Sequence, residues 1–290
     1  MNKFRKVVTK VKGVAFTMGK FAVRQPLPHQ RIDQIDPFLL LHHAGPTSYE
    51  PGSVSAHEGV PPHPHRGFEP VTFVYKGGVH HRDSRGNDSI IGEGGVQWMT
   101  AGMGIVHSER PPAELMETGG EQEIIQLWVN LPAKSKMVQP RYQGFTKEEI
   151  PVIESGNGAT IQVVAGQLDG VTGPVQTHTP VTALNAQFAK GASAIIHLSD
   201  DHAALAYVLS GEVIMGDEIA VVAHEMVEFD GNGPVKIEAL NEARVLIVSG
   251  LPIGEPVVKS GPFVMNTHTQ VMEAMRDAQM GKMGVLIEEF

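Results

Sequence analysis

The sequence predicts an all-β protein made of two similar barrel units, with one short helix at the C-terminal end. Three features point there. Short runs rich in β-branched and aromatic residues recur along the chain, each bounded by Gly, Pro, Asn or Asp. The 290 residues exceed the usual size of a single domain. A faint internal repeat is also visible: FVYKGGV (73–79) resembles YVLSGEV (207–213), and QLWVNLP (126–132) resembles LIVSGLP (246–252).

In chain order, the first twenty residues hold Lys3, Arg5, Lys6, Lys10, Lys12 and Lys20 and no acid. This reads as a solvated edge strand whose cations discourage pairing with other sheets. The runs VTFVYKGGVHH, EIIQLWVNLP, TIQVVAGQ, AALAYVLSGEVIM, EIAVVAHEMVEF and ARVLIVSGLP follow as strands, punctuated from a stock of 32 glycines and 20 prolines. SKMVQPRYQGFTKEE (135–149) separates the units, giving expected domains of 1–134 and 143–290. Near the end, Val271, Met272, Met275 and Ala278 fall at helical spacing, with Thr267 or Thr269 available as the N-cap. That helix is assigned to the second domain.

Composition narrows the function. Hydrophobic residues make up 41% and charged residues 19%, a globular balance. The net charge of −9 argues against direct binding to nucleic acid, which relies on cationic contacts to phosphates. No run approaches the ~18 apolar residues of a membrane span, and the first residues lack the long apolar stretch of a signal peptide. With no cysteine, neither disulfides nor thiol chemistry is available, and a cytoplasmic setting is expected.

Two segments carry chemistry, PPHPHRGFEPVTFVYKGG (61–78) and QWMTAGMGIVHSE (97–109). Strand side chains alternate faces, so His63 and His65 can point the same way, as can His107 and Glu109. Pro64 suits a strand start and stiffens the presentation of both imidazoles. Were the two segments neighbours in one barrel, three imidazoles and a carboxylate would converge, a donor set suited to Fe(II), Mn, Ni, Cu, Co or Zn. A six-coordinate metal held this way keeps two positions open for substrate or dioxygen. The remaining histidines are read as structural, His80 and His81 as solvated beside a hairpin turn, and His42 and His43 as core-edge or pocket-rim residues. Glu69 is a candidate to support the ligands, Arg66 is expected to face solvent, and one of Trp98 and Met99 could line a pocket, although core packing is the commoner role.

The repeat also predicts where metal is absent. Measured from Gly211 as from Gly77, His63 corresponds to His197 and His65 to Ser199. Measured from Gly233 as from Gly104, His107 and Glu109 correspond to Lys236 and Glu238. A lysine cation among the would-be ligands repels a metal, so the second unit should hold none.

PFLLLHHAGP, PPHPHRGFEPVTF, QWMTAGMGIVHSE, QLWVNLP, KMVQPRYQ and GPFVMNT together resemble the signatures of the pirin family, within the cupin superfamily, in that family's order. The resemblance implies a bicupin, two jelly-roll β-barrel domains with metal, usually iron, only in the N-terminal one. Its four ligands carry over to His63, His65, His107 and Glu109. It further implies a dioxygenase acting on a flavonol such as quercetin, since HRDSRGN (81–87) looks more like the bacterial members than the animal ones. In that reading Glu109 is both ligand and general base, and the partners are a small aromatic oxygenated substrate and dioxygen. The alternatives are a non-catalytic, iron-dependent redox regulator that binds a partner protein, or another metal-dependent cupin reaction.

Overall fold

The computed structural model describes residues 4–18, 21–155, 157–216 and 218–288. Strands dominate, as the sequence predicts, and the chain divides into two compact units. One is built on residues 42–147 and takes in the C-terminal residues from Gly254 onward. The other is built on residues 148–253 and takes in most of the first forty-one residues. The chain passes between them at Lys147 and Glu148, inside the expected linker. The chain ends, however, belong to the opposite units from those assigned in the 1–134 and 143–290 division. The N-terminal strand Lys6–Lys12 pairs antiparallel with Glu225–Asp230 at one end of the second unit's larger sheet. The C-terminal helix His268–Gln279 packs through Ala274 and Met275 with Phe263 and Val106. A repeat in sequence marks the units but does not say which open edge captures a terminal segment.

The repeat itself is real at the level of topology. The site-bearing unit has a four-stranded antiparallel sheet in the order Val60–His65, Ile105–Arg110, Gly78–Asp83, Asp88–Gly92. The other unit has Ser193–Ile196, Val235–Ala239, Glu212–Met215, Ile219–Val222. Numbered along the chain, both run first, fourth, second, third. In the site-bearing unit a second sheet contains Arg141–Phe145, Val96–Thr100, Phe68–Lys76 and Gly120–Asn130 in that order. The cores follow from strand alternation: Ile161 and Val163, Ala204, Ala206 and Val208, and Val245 and Ile247 all enter one buried cluster at every second position.

Several side chains sit where alternation alone would not put them. Trp98 and Met99 are both buried among core residues, the commoner of the roles weighed for them. Arg5 is 1% exposed and not a solvated edge cation; its guanidinium donates to the carbonyls of Gly233, His202 and Ser199. Lys3 and Lys20 lie outside the described residues. Thr267 caps the helix in a reciprocal box with Gln270, while Met272 of the expected apolar stripe is exposed.

Gly67, directly after the two-histidine motif, shows how the backbone here is constrained. Its φ of +88° is a left-handed conformation, and a Cβ would lie 2.0 Å from the carbonyl oxygen of Val264. Gly67→Ala should therefore lower the unfolding free energy by roughly 1–3 kcal/mol from backbone strain alone, read as a lower urea midpoint. An unchanged midpoint would contradict this packing.

Candidate metal centre

The site starts from strand register. Ile105–Arg110 pairs antiparallel with Val60–His65, which sets His107 opposite His63, and Ile105 opposite His65. Alternation then brings His63 and His65 to one face beside His107. Their ligand-capable nitrogens all lie within 4.8 Å of one another, the one such group of histidines and carboxylates found among the described residues. The Nε2 atoms of His63 and His65 are 2.9 Å apart, and the His107 ring centroid lies 4.3 Å and 4.9 Å from the other two.

The arrangement fits a cation. His63 Nδ1 is 2.8 Å from the Pro61 carbonyl, which can only accept, so Nδ1 carries the proton and Nε2 keeps its lone pair. His107 Nε2 is buried without a hydrogen-bond partner, which is costly for an N–H but suits a ligand nitrogen. Burial pushes His65 and His107 well below the usual histidine range, and the neighbouring histidine rings add to this. Both are therefore neutral near pH 7, as ligation requires. Phe68 and Trp128 stand edge-on to His65, at ring centroid distances of 5.0 Å and 5.6 Å.

Glu109 lies past a break in register, where it falls opposite Val60. It is not part of the close histidine group. Its carboxylate is held by neutral donors: Thr72 Oγ1 donates to Oε1 at 2.9 Å, Gln97 Nε2 donates to the same oxygen, and Gln126 Nε2 donates to Oε2 at 3.1 Å. Trp128 Nε1 in turn donates to Gln126 Oε1 at 3.2 Å. Oε2 thus keeps more lone-pair capacity than Oε1. Glu69 is buried and accepts from Thr100 Oγ1 at 2.7 Å, outside the histidine group.

Two sequence expectations need correction here, and two residues escaped the sequence reading. His81 is not solvated but fully buried; its Nε2 meets Asp83 Oδ2 at 3.1 Å and its ring stacks on Tyr142. Arg66 does not face solvent but is 5% exposed, donating to the Met103 carbonyl at 2.6 Å and pairing with Asp277 at 3.1 Å. Trp128 and Gln126 were missed altogether, although their spacing in QLW places them on one face of a strand. His80 pairs with the exposed Asp88 at the surface, and His43 is a core residue joined to Glu123. In the second unit His197 is 63% exposed beside Asp169, and Lys236 lies 3.6 Å from Glu238, so the corresponding positions there offer no converging ligand set.

Two outcomes follow. One tightly bound metal per chain is expected, lost in His63→Ala or His107→Ala and kept in His197→Ala; metal analysis showing two equivalents, or loss in His197→Ala, contradicts this. The second concerns pH. Because the folded pKa values of His65 and His107 lie below the unfolded value of ~6.5, the unfolded chain binds more protons. Stability of the metal-free protein should therefore be full above about pH 6.5 and fall below it, by up to ~1.4 kcal/mol per pH unit for each ring. A urea series on His107→Gln should show a shallower fall than the parent; equal slopes would mean that His107 is not held neutral.

A family model described as Pirin matches residues 20–129, and one described as Pirin C-terminal cupin domain matches residues 183–284. A pirin-like protein of Caulobacter vibrioides is 41% identical over 257 residues, covering 85% of this chain and 87% of its own. A pirin-like protein of Solanum lycopersicum is 39% identical over 285 residues, covering 97% and 93%. The crystal structure of a quercetin 2,3-dioxygenase from Acinetobacter baumannii superposes with a TM-score of 0.92 at 34% identity, covering 98% of this chain and all of that one. The chain, with its two cupin domains and its buried histidine group, belongs to the pirin family.

Proposed function

We propose that this protein is a metal-dependent dioxygenase acting on a flavonol such as quercetin, in the cytoplasm, with Fe(II) held by His63, His65, His107 and Glu109. The observation that carries the reading is the juxtaposition of three close imidazoles, two of them held neutral, with the Glu109 carboxylate on the strand of His107, clamped by neutral donors from other strands. That set gives a divalent cation one negative ligand and leaves positions for oxygen donors. Mn, Ni, Cu, Co and Zn suit the same donors. A bound divalent metal would polarise the 3-hydroxyl and 4-carbonyl oxygens of the flavonol and lower the hydroxyl's pKa.

The chain's own residues supply the rest. Glu109 Oε2, with Gln126 as its one neutral donor, is the oxygen left to accept the 3-hydroxyl proton. Thr72 and Gln97 hold Oε1, so the carboxylate keeps its orientation when that proton arrives. Half-buried Trp128, 4.2 Å from Phe68 between ring centroids, offers an apolar face against which a planar aromatic ring packs. The similarity to the Acinetobacter enzyme supports this substrate class.

The test measures metal content and oxygen uptake on the same samples. Wild-type protein with Fe(II) and quercetin should consume oxygen as the flavonol's visible absorbance disappears. Glu109→Gln should keep much of its metal yet lose roughly 10²–10⁴-fold in turnover, the scale of a general base. If activity instead tracks metal occupancy and returns with excess metal, Glu109 is a ligand only. If protein loaded with each candidate metal consumes no oxygen with any flavonol, the dioxygenase reading fails. An iron-dependent regulator that binds a partner protein then takes its place.

A further inference from the structure

On the strand that pairs with His107 and Glu109 lie His81 and Asp83, which with Tyr142 form a group that the proposed reaction does not use. Asp83 closes the hairpin between Gly78–Asp83 and Asp88–Gly92. Its Oδ1 accepts from the backbone N–H groups of Arg85 and Asn87, at 2.8 Å and 3.1 Å, and its Oδ2 accepts from Asn87 Nδ2 at 2.7 Å. These bonds and the one from His81 outweigh the effect of burial and hold the Asp83 carboxyl below its usual range. An ionised carboxylate can only accept, so His81 Nε2, 3.1 Å from Oδ2, is the donor.

The consequence passes along the ring. With its donated proton on Nε2, His81 offers Nδ1 as the acceptor, 3.4 Å from Nδ1 of His107. His107 must then carry its proton on Nδ1, and its Nε2, the buried nitrogen without a partner, is left as a lone pair among the other imidazoles. Tyr142 stacks on His81 with ring centroids 4.4 Å apart and planes 20° off parallel, which fixes the ring's plane. The opposite chain, with His81 donating from Nδ1 to His107, would put the His107 proton on Nε2 and leave that nitrogen no lone pair for a metal.

We propose that His81, anchored by Asp83 and Tyr142, is a positioning residue for the metal centre, and that it holds His107 in the one tautomer able to ligate through Nε2. This rests on the reading of His107 as a ligand. Carboxylates or carbonyls commonly hold the far nitrogen of a metal-bound histidine; here a second histidine relays that function from the hairpin turn.

The experiment uses full-length protein labelled with ¹⁵N-histidine and loaded with Zn(II) as a diamagnetic probe. Long-range ¹H–¹⁵N correlation then reports the proton position on each ring. Expected are His107 protonated at Nδ1 with Nε2 bound to zinc, and His81 protonated at Nε2 only. His81→Phe keeps the stacked ring and removes both nitrogens, and its zinc affinity should fall by about 10–100-fold. His81→Asn places an amide oxygen where Nδ1 was and should recover much of that loss. The proposal is overturned if His81 carries a proton on Nδ1, or if His81→Phe binds zinc as the parent does. The tautomer assignment comes from the wild type, so it stands even if a variant folds poorly. Wild-type protein that binds no zinc, or whose His107 resonances do not respond to it, would instead refute the metal centre itself.

Discussion

Everything at this centre depends on bringing three imidazoles together while burying two of them too deeply to charge. The pairing of His107 with His63 across two antiparallel strands does this. Water is excluded from His65 and His107, each 3% exposed or less, and the loss of hydration keeps both rings neutral. Neutral rings facing one another across less than 5 Å have lone pairs to spare and few protons to share. Such a cluster is costly in an empty fold and favourable around a cation, so a metal bound there would stabilise the folded unit. Gly67, Lys136 and Arg66 brace the segment that follows the histidines: the buried Lys136 ammonium donates to the Gly67 carbonyl at 2.8 Å, and Arg66 ties the same segment to Asp277.

Much of this was legible in the sequence because it obeys a period of two. His63 and His65 share a face, and the strand, turn, strand repeat foretold two copies of one β-unit, whose four-stranded sheets share a strand order. What stayed hidden depends on partners distant in sequence. Nothing local marks Arg66 as buried, since its partner Asp277 lies on the C-terminal helix. The placement of the chain ends was missed for the same reason, because an open sheet edge has no signature at the residues that cover it. His81 is the instructive error. Its neighbourhood, HHRDSRGN, reads as a polar turn, yet His81 and Asp83 are two residues apart and so share a face, the same signal used for His63 and His65. The turn residues Arg85 and Asn87 serve mainly as backbone and amide donors to Asp83.

The break in register between His107 and Glu109 marks the limit of alternation as a guide. Simple alternation would stack Glu109 on the same row as His107. The register shift moves it opposite Val60, where Thr72, Gln97 and Gln126 reach it from three other strands. Bulges of this kind re-aim single side chains at sites, and they are invisible to a period-two reading. The twin unit shows that the strand order alone confers none of this. With His197 at the surface and Lys236 beside Glu238, an equivalent set of strands carries no ligand group.

The site is therefore asymmetric in the way it controls its ligands. On one side, Glu109 is surrounded by amides and a hydroxyl, groups that orient a carboxylate while leaving its charge uncompensated. On the other, His107 is backed by a histidine whose own orientation comes from a charged carboxylate. Neutral donors around the anionic ligand preserve its attraction for a cation, whereas an ammonium or guanidinium in their place would cancel it. His107 Nδ1 meets an imidazole nitrogen rather than a carboxylate oxygen, and the Asp83 carboxylate is already satisfied by His81, Arg85 and Asn87. With the four proposed ligands, the net charge offered to a metal would be close to minus one, from Glu109 alone. That balance suits a divalent ion which must still attract oxygen donors from outside the protein, and it follows from which partner stands behind each ligand.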